Sequence, residues 1–354
     1  MATKTWVAAA AGAASVDANW SGGVKPVAGD DIVFDATSVQ NCSWDLAITV
    51  GTLSLSTGYS GVVTQAASFG AYAAYFSAGT FTPSLTYTLT VTTNFVIGAS
   101  GMVSIGNLRL IVTSDGAIVT NNSGTNLDMR TFTVNGNTTL SGSRLIDTQV
   151  ACTVASGKTL TLNRVFSVIG LAINAFNNGG TINGSSTLYF EMLFGDVSPT
   201  ALGTITCPVT ITTRGDATAN RIFSLSATTL LSSLLVKSDH PTYTCTLHHG
   251  SNYTLNVAGT FTLGDRGVMT QGTGPWSFAT FLQNGASSLF TQGGDVGVTN
   301  NFTVSAGTYD GDGVHYTYVG GVINTTGGTV DGLFRIMKRI IARSSRSRRS
   351  VSRG

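Results

Sequence analysis

Asn301-Phe302-Thr303-Val304-Ser305-Ala306-Gly307-Thr308-Tyr309-Asp310 alternates apolar side chains with hydroxyls, turns through a corner of small residues, and begins to alternate again. Successive side chains of a strand point to opposite faces, so a period of two marks a strand with one buried face. The same phrase returns at Asn94-Phe95-Val96-Ile97-Gly98, at Thr131-Phe132-Thr133-Val134-Asn135-Gly136 and at Thr260-Phe261-Thr262-Leu263-Gly264. A phrase that recurs with no long helical stretch between its copies predicts a stacked all-β solenoid, because each coil can bury its apolar face only against its neighbours. The expected fold class is all-β, a largely parallel β-helix.

Composition supports this. Charged residues make up 10% of the 354-residue chain, against ~25% in ordinary soluble domains. Gly, Thr, Ser and Asn take their place, so the outward strand faces carry hydroxyls and amides. Hydrophobic residues, at 42%, suffice for a substantial core and argue against a disordered body. The acids are 16 Asp and a single Glu, Glu191. Asp favours turns and Glu favours helices, so the bias again points away from helix. The net charge of +2 hides an asymmetry: residues 1–334 hold 11 Lys/Arg and all 17 acids, and the last 20 residues hold eight Lys/Arg and no acid. Cys42, Cys152, Cys207 and Cys245 show no metal-ligand spacing. Buried free thiols are expected, although an even count permits disulfides. The first 20 residues carry one early Lys and a short Ala run, and are taken as mature protein rather than a signal peptide. No apolar run approaches the ~20 residues of a membrane span.

The most specific stretch is residues 1–65. It contains Thr5-Trp6, then Asn19-Trp20-Ser21-Gly22-Gly23, then Pro26-Val27-Ala28-Gly29-Asp30-Asp31-Ile32-Val33-Phe34-Asp35. Gly-Gly and Pro-x-x-Gly-Asp-Asp are turn chemistry, and Ile32 and Phe34 alternate as a strand. Trp6 and Trp20 are expected to cap the solenoid, whose open end would otherwise expose core and strand edges. This segment resembles the N-terminal cap of β-helical bacteriophage virion proteins and bacterial surface proteins, over about the first 60 residues. The resemblance implies a solenoid body over 66–332 and a virion component, such as a head decoration, fibre or tail-associated protein. It also implies a homo-oligomer, with a trimer as first choice. Without an evident signal peptide, the phage side is favoured over secreted adhesins.

Chemistry-bearing candidates are sparse. Phe69, Tyr72, Tyr75, Phe76, Phe81 and Tyr87 could stack on sugar rings, or simply pack at a subunit contact or lateral loop. Asn121 and Asn137 are expected at turns or in an Asn ladder along the solenoid. Glu191 sits inside the apolar run 188–194 and would be a general acid only if buried with a raised pKa; an outward-facing residue is the simpler expectation. His248 and His249 are adjacent on a strand and should face opposite sides, which disfavours a shared metal. Asp310 and Asp312 could serve glycoside hydrolysis or bind calcium, yet an Asp-Gly turn explains them. No catalytic, cofactor or metal site is assigned.

Residues 333–354 change character. Leu333, Ile336, Met337, Ile340 and Ile341 fall at three- and four-residue spacing, which predicts an amphipathic helix. Lys338, Arg339, Arg343, Arg346, Arg348 and Arg349 follow, the later ones in a Ser/Arg run of disordered composition. Nucleic acid, an acidic membrane and an acidic protein surface are all possible partners, and a solubilising tail is a further use. Docking on other virion proteins is the expectation, with Leu333, Ile336, Met337 and Ile340 as the apolar contact. The function expected is structural rather than enzymatic, on the virion. The alternatives are a tailspike-like polysaccharide-degrading enzyme and a bacterial adhesin.

Overall fold

The computed structural model describes residues 1–337, except 105, 171–175, 194, 226, 228 and 251. Over these residues the chain is a parallel β-solenoid of about 14 turns. At ~4.8 Å per turn this makes a rod roughly 65–70 Å long. Every strand ladder among the described residues is parallel; the antiparallel bridge Trp6–Trp20 lies outside the strands. A large sheet system runs the length of the body. Two smaller sheets add a further face at either end. Five strands from Gly12–Ala13 to Met102–Val103 lie over the early turns, and six from Arg221–Leu225 to Thr329–Asp331 lie over the late ones.

The Asn301–Asp310 phrase folds as expected. Phe302–Val304 and Thr308–Asp310 are strands, and Gly307 turns the corner between them at φ +77°. That conformation is open to glycine at no steric cost. Phe95, Phe132, Phe261 and Phe302, one from each copy of the phrase, are all buried.

Residues in register stack along the inside. One column runs Ile32, Leu53, Ala74, Phe95, Val119, Leu140, Leu162. Another runs Leu234, Phe261, Phe281, Phe302, Ile323. The rings of Phe281 and Phe302 lie nearly parallel, 4.8 Å apart. The core is thus one continuous filament of apolar side chains, and each turn covers the one before it.

The Asp and Asn bias has a structural cause at the corners. Asp115 accepts the backbone N–H of Asn137 at 2.7 Å, and Asn137 in turn accepts that of Thr159 at 2.9 Å. Asn41, Asn122, Asn220, Asp265 and Asn301 do the same for a residue one turn on. Corners interrupt the backbone ladder and would leave N–H groups unpaired; a short side-chain oxygen restores the bond. Glu is a methylene too long for this geometry. Asn121 behaves otherwise. It is buried, and its amide donates to the carbonyls of Thr125 and Leu145. In register it meets Ile97 and Gly142, so no Asn ladder forms there.

The less regular sequence of residues 191–250 remains solenoid. Turns widen here: 26 residues separate Ile205 from its partner Leu231, against 21 between Ile32 and Leu53. Register shifts at Ile205/Pro208 and Leu231/Leu234 change the spacing by one residue each. Pro208 falls at such a shift, where a missing N–H is tolerated. The tail boundary also moves. Leu333–Ile336 is a strand rather than the start of a helix, with Phe334 on Thr317 and Ile336 on Val319. The stretch carries both a helical and an alternating apolar spacing, and the open edge of Tyr316–Val319 selects the strand.

Candidate functional site

The N-terminal phrase is accounted for residue by residue. Asp30 accepts the N–H of Ala2 at 2.9 Å and of Val27 at 3.1 Å, which ties the first strand to the turn before Ile32. The hydrogen bond from Ala2 holds the Asp30 carboxyl below its ordinary range, against the opposing effect of desolvation. Asp31 accepts the N–H of Thr52 on the next turn. Ser21 Oγ accepts from Thr5, and the Asn19 amide donates to Ala13. Trp6 and Trp20 are both buried and meet edge to face at 5.1 Å. Both pack on Phe34, and Trp20 also meets Trp44. Their indole N–H groups donate to Gln40 and Ala14 carbonyls. The two tryptophans therefore form one aromatic cluster with Phe34 and Trp44 in the first turns.

A carboxylate group that the sequence did not suggest lies in mid-body. Asp128 and Asp147 are register partners on adjacent turns, and Ser167 follows Asp147 on the next. Asp147 is only 4% exposed, and its Oδ1 has no hydrogen-bond partner. Burial, then the Asp128 carboxyl beside it, then the charge of Glu191 push its pKa up to about 8, with Arg214 opposing. Ser167 Oγ donates to Glu191 Oε1 at 2.6 Å, and Arg214 Nε lies 3.7 Å from Glu191 Oε2. Glu191 is thus half-buried and tied to Ser167 and Arg214. It alternates outward from buried Phe190 and Met192, as expected, but is only partly exposed there. The shared phase of Leu127-Asp128-Met129 and Ile146-Asp147-Thr148 was the readable clue. Only the turn length between them, which periodicity leaves open, brings the two acids together.

The remaining candidates resolve into structure. His248 is exposed and His249 buried, on opposite faces as expected. Burial lowers the His249 pKa, and its ring packs edge to face on Trp276. Asp312 accepts the N–H groups of Val314 and His315, an Asp turn, and Asp310 is exposed on the neighbouring strand. Phe69, Phe76 and Phe81 face the core, which divides the aromatic cluster and leaves Tyr72 exposed. The four cysteines are free and buried. Among the described residues no group of three or more His, Cys, Asp or Glu is placed to hold a metal ion. An open groove of about 330 Å³ is lined by Thr49, Ser68, Phe69, Thr88 and Thr90, far in sequence from the carboxylates.

At the other end the described residues stop at Met337. Phe334 and Ile336 occupy inward positions of the last described turn, yet Ile336 is 59% exposed, whereas Val319 beneath it is buried completely. Leu333 and Met337 are also exposed, and Arg335 lies over the ring of Tyr316 at 3.9 Å. Lys338, Arg339, Ile340, Arg343, Arg346, Arg348 and Arg349 lie outside the described residues, as does the helix expected of them. No helix among the described residues is long and apolar enough to cross a membrane. Comparison with protein-family profiles, with curated proteins and with solved structures returned no match.

Proposed function

We propose that the chain is a structural protein of a bacteriophage particle, displayed on the virion as a head decoration, fibre or tail-associated element. The observation that carries this reading is the unbroken parallel ladder, which ends on an apolar last turn and runs directly into a basic stretch. A rod of this kind resists bending and proteolysis, because most of the described strands are paired on both sides. Its outward faces are rich in hydroxyls and poor in charge, which suits prolonged exposure. The residues that resemble a phage β-helix cap, Trp6, Trp20 and the Gly29-Asp30-Asp31 turn, are tied into the first turns by hydrogen bonds and ring contacts, which supports this reading. We assign them the capping role. The basic stretch, with Leu333, Ile336 and Met337, is the proposed attachment device toward other virion proteins. Several Arg–carboxylate contacts must act together there, since exposed pairs contribute only ~0–1 kcal/mol each. A homotrimer is proposed from the N-terminal resemblance and from particle symmetry. The experiment is a truncation after Met337 expressed during particle assembly. The truncated rod should be lost from particles or bound at reduced, salt-sensitive occupancy. Normal occupancy would move the attachment surface elsewhere.

The Asp128–Asp147–Glu191–Arg214 group favours a second reading, a tailspike that degrades surface polysaccharide. Paired carboxylates of unequal pKa are what glycoside hydrolysis uses. Here, however, Asp147 is almost inaccessible and Glu191 is bound to Ser167 and Arg214. Incubation with host glycans should yield no new reducing ends. Turnover abolished by Glu191→Gln would establish the enzyme instead.

A further inference from the structure

Arginine is partnered throughout the described body except in one place. Arg214 lies against Glu191 and Asp216, Arg221 donates to the Leu193 carbonyl, Arg266 pairs with Asp265, and Arg335 covers the ring of Tyr316. The side chains of the other four described arginines, Arg109, Arg130, Arg144 and Arg164, make no hydrogen bond or ion pair with any described residue. The Nε–H groups of Arg109, Arg130 and Arg164 are buried without an acceptor among those residues. Every acid of the chain is a described residue, so no carboxylate of this chain pairs with the four. Topology brings them together. Met129 and Phe132 are buried, which leaves Arg130 and Thr131 outside at the bend between them, and Arg109 is the register partner of Thr131 one turn back. Arg144 and Arg164 each stand two residues before the register pair Ile146 and Phe166, so they hold the same corner of successive turns. The stretches between the two corners, 127–129 and 146–148, are short, roughly 10 Å, and the four arginines rise over three turns, roughly 14 Å. Asp128 and Asp147 lie between the corners. Asp147 is buried and stays protonated at neutral pH, through that burial first and the Asp128 carboxyl second. Four guanidiniums therefore face the single remaining carboxylate of Asp128.

We propose that this surface binds an anionic polysaccharide, with Arg109, Arg130, Arg144 and Arg164 taking the carboxylates of its uronate sugars. A guanidinium presents paired N–H donors that meet a carboxylate in two parallel bonds, which a lysine cannot do. Like charges stacked on neighbouring strands destabilise the pair, and an anion bound between them removes that cost. The surroundings suit a sugar. Thr131, Ser143, Gln149 and Asn163 stand beside the arginines, half-buried or exposed, and offer hydroxyls and amides to sugar hydroxyls. Nucleic acid fits the same surface less well. Duplex DNA carries a charge every ~1.7 Å over its whole length, whereas the arginines end after a few turns and residues 1–334 hold 17 acids against 11 Lys/Arg. A chain charged once per sugar repeat meets the two corners and otherwise runs over uncharged surface. The site does not depend on the particle assignment, and it requires no catalysis.

The test is calorimetric binding of polygalacturonate to the full-length chain at low salt, with neutral dextran and a DNA duplex as the other probes. The basic stretch after Met337 is present in every chain compared, so its contribution is common to all. Arg109→Gln/Arg130→Gln and Arg144→Gln/Arg164→Gln should each weaken polygalacturonate binding by about tenfold or more. Arg266→Gln, at a paired arginine outside the surface, should leave it unchanged, and dextran should not bind. A second readout needs no variant: on the native chain, polygalacturonate should shield the four arginines from phenylglyoxal, mapped by mass spectrometry, and leave Arg266 as reactive as before. Binding that survives both double substitutions, or modification of the four at an unchanged rate, would overturn the proposal. So would a duplex held more tightly than polygalacturonate through the same arginines, since the partner would then be nucleic acid.

Discussion

Replacing Asp147 by Asn should make the rod more stable at neutral pH and leave it nearly unchanged in acid. In the folded chain Asp147 is 4% exposed and stacked on Asp128, and its pKa is raised from 3.8 to about 8 by burial first and the Asp128 carboxyl second. The unfolded chain releases this proton near its ordinary value, so between those limits the folded state binds more protons than the unfolded one. Stability contributed by the site is therefore fully present below pH 4, falls as pH rises toward 8, and levels off above it. The slope is at most about 1.4 kcal/mol per pH unit for one proton. Between pH 5 and 7 the native chain should lose up to about 3 kcal/mol that the variant does not lose. Asn has the shape of the protonated acid and does not titrate. Urea unfolding at pH 5, 6 and 7 measures the difference directly. Parallel pH profiles for the two proteins would mean that Asp147 is ionised in the fold, and would refute this account.

Other outcomes follow from the core filament. Phe281 is buried and packs on Phe261, Phe290, Phe302 and Tyr309, so Phe281→Ala should cost about 3–5 kcal/mol; a loss under 1 kcal/mol in urea unfolding would contradict a close-packed interior. The thiols of Cys152 and Cys245 are pushed up to about 12 and that of Cys207 to about 11, all by burial first. A thiol-specific reagent at pH 8 should therefore leave them unmodified until denaturant is added, and rapid labelling of the native chain would show that the interior opens.

The strand-and-corner phrases were legible because Phe95, Phe132, Phe261 and Phe302 each mark one inward position per turn. The corner chemistry was legible as an Asp and Asn bias, but its target was not: the acceptor of Asn137 serves an N–H 22 residues ahead, and pattern alone does not say which turn that is. The same gap hid Asp128 and Asp147, whose meeting depends on turn length and on the shift between Met129 and Thr131. The helix expected from Leu333 failed over its first turn because four residues satisfy two periods at once, and an open strand edge was available to decide between them. His248 and His249 were separable in advance, since neighbours on a strand must diverge.

The proposed function is tested most directly on phage particles banded in a density gradient from a culture that expresses this chain. Mass spectrometry of the banded material should find the chain in fixed ratio to the capsid or tail proteins. Brief protease treatment of intact particles should leave the rod whole, and particles made with a chain ending at Met337 should band without it. A chain found only free in the lysate, absent from banded particles at every salt concentration, would contradict the account.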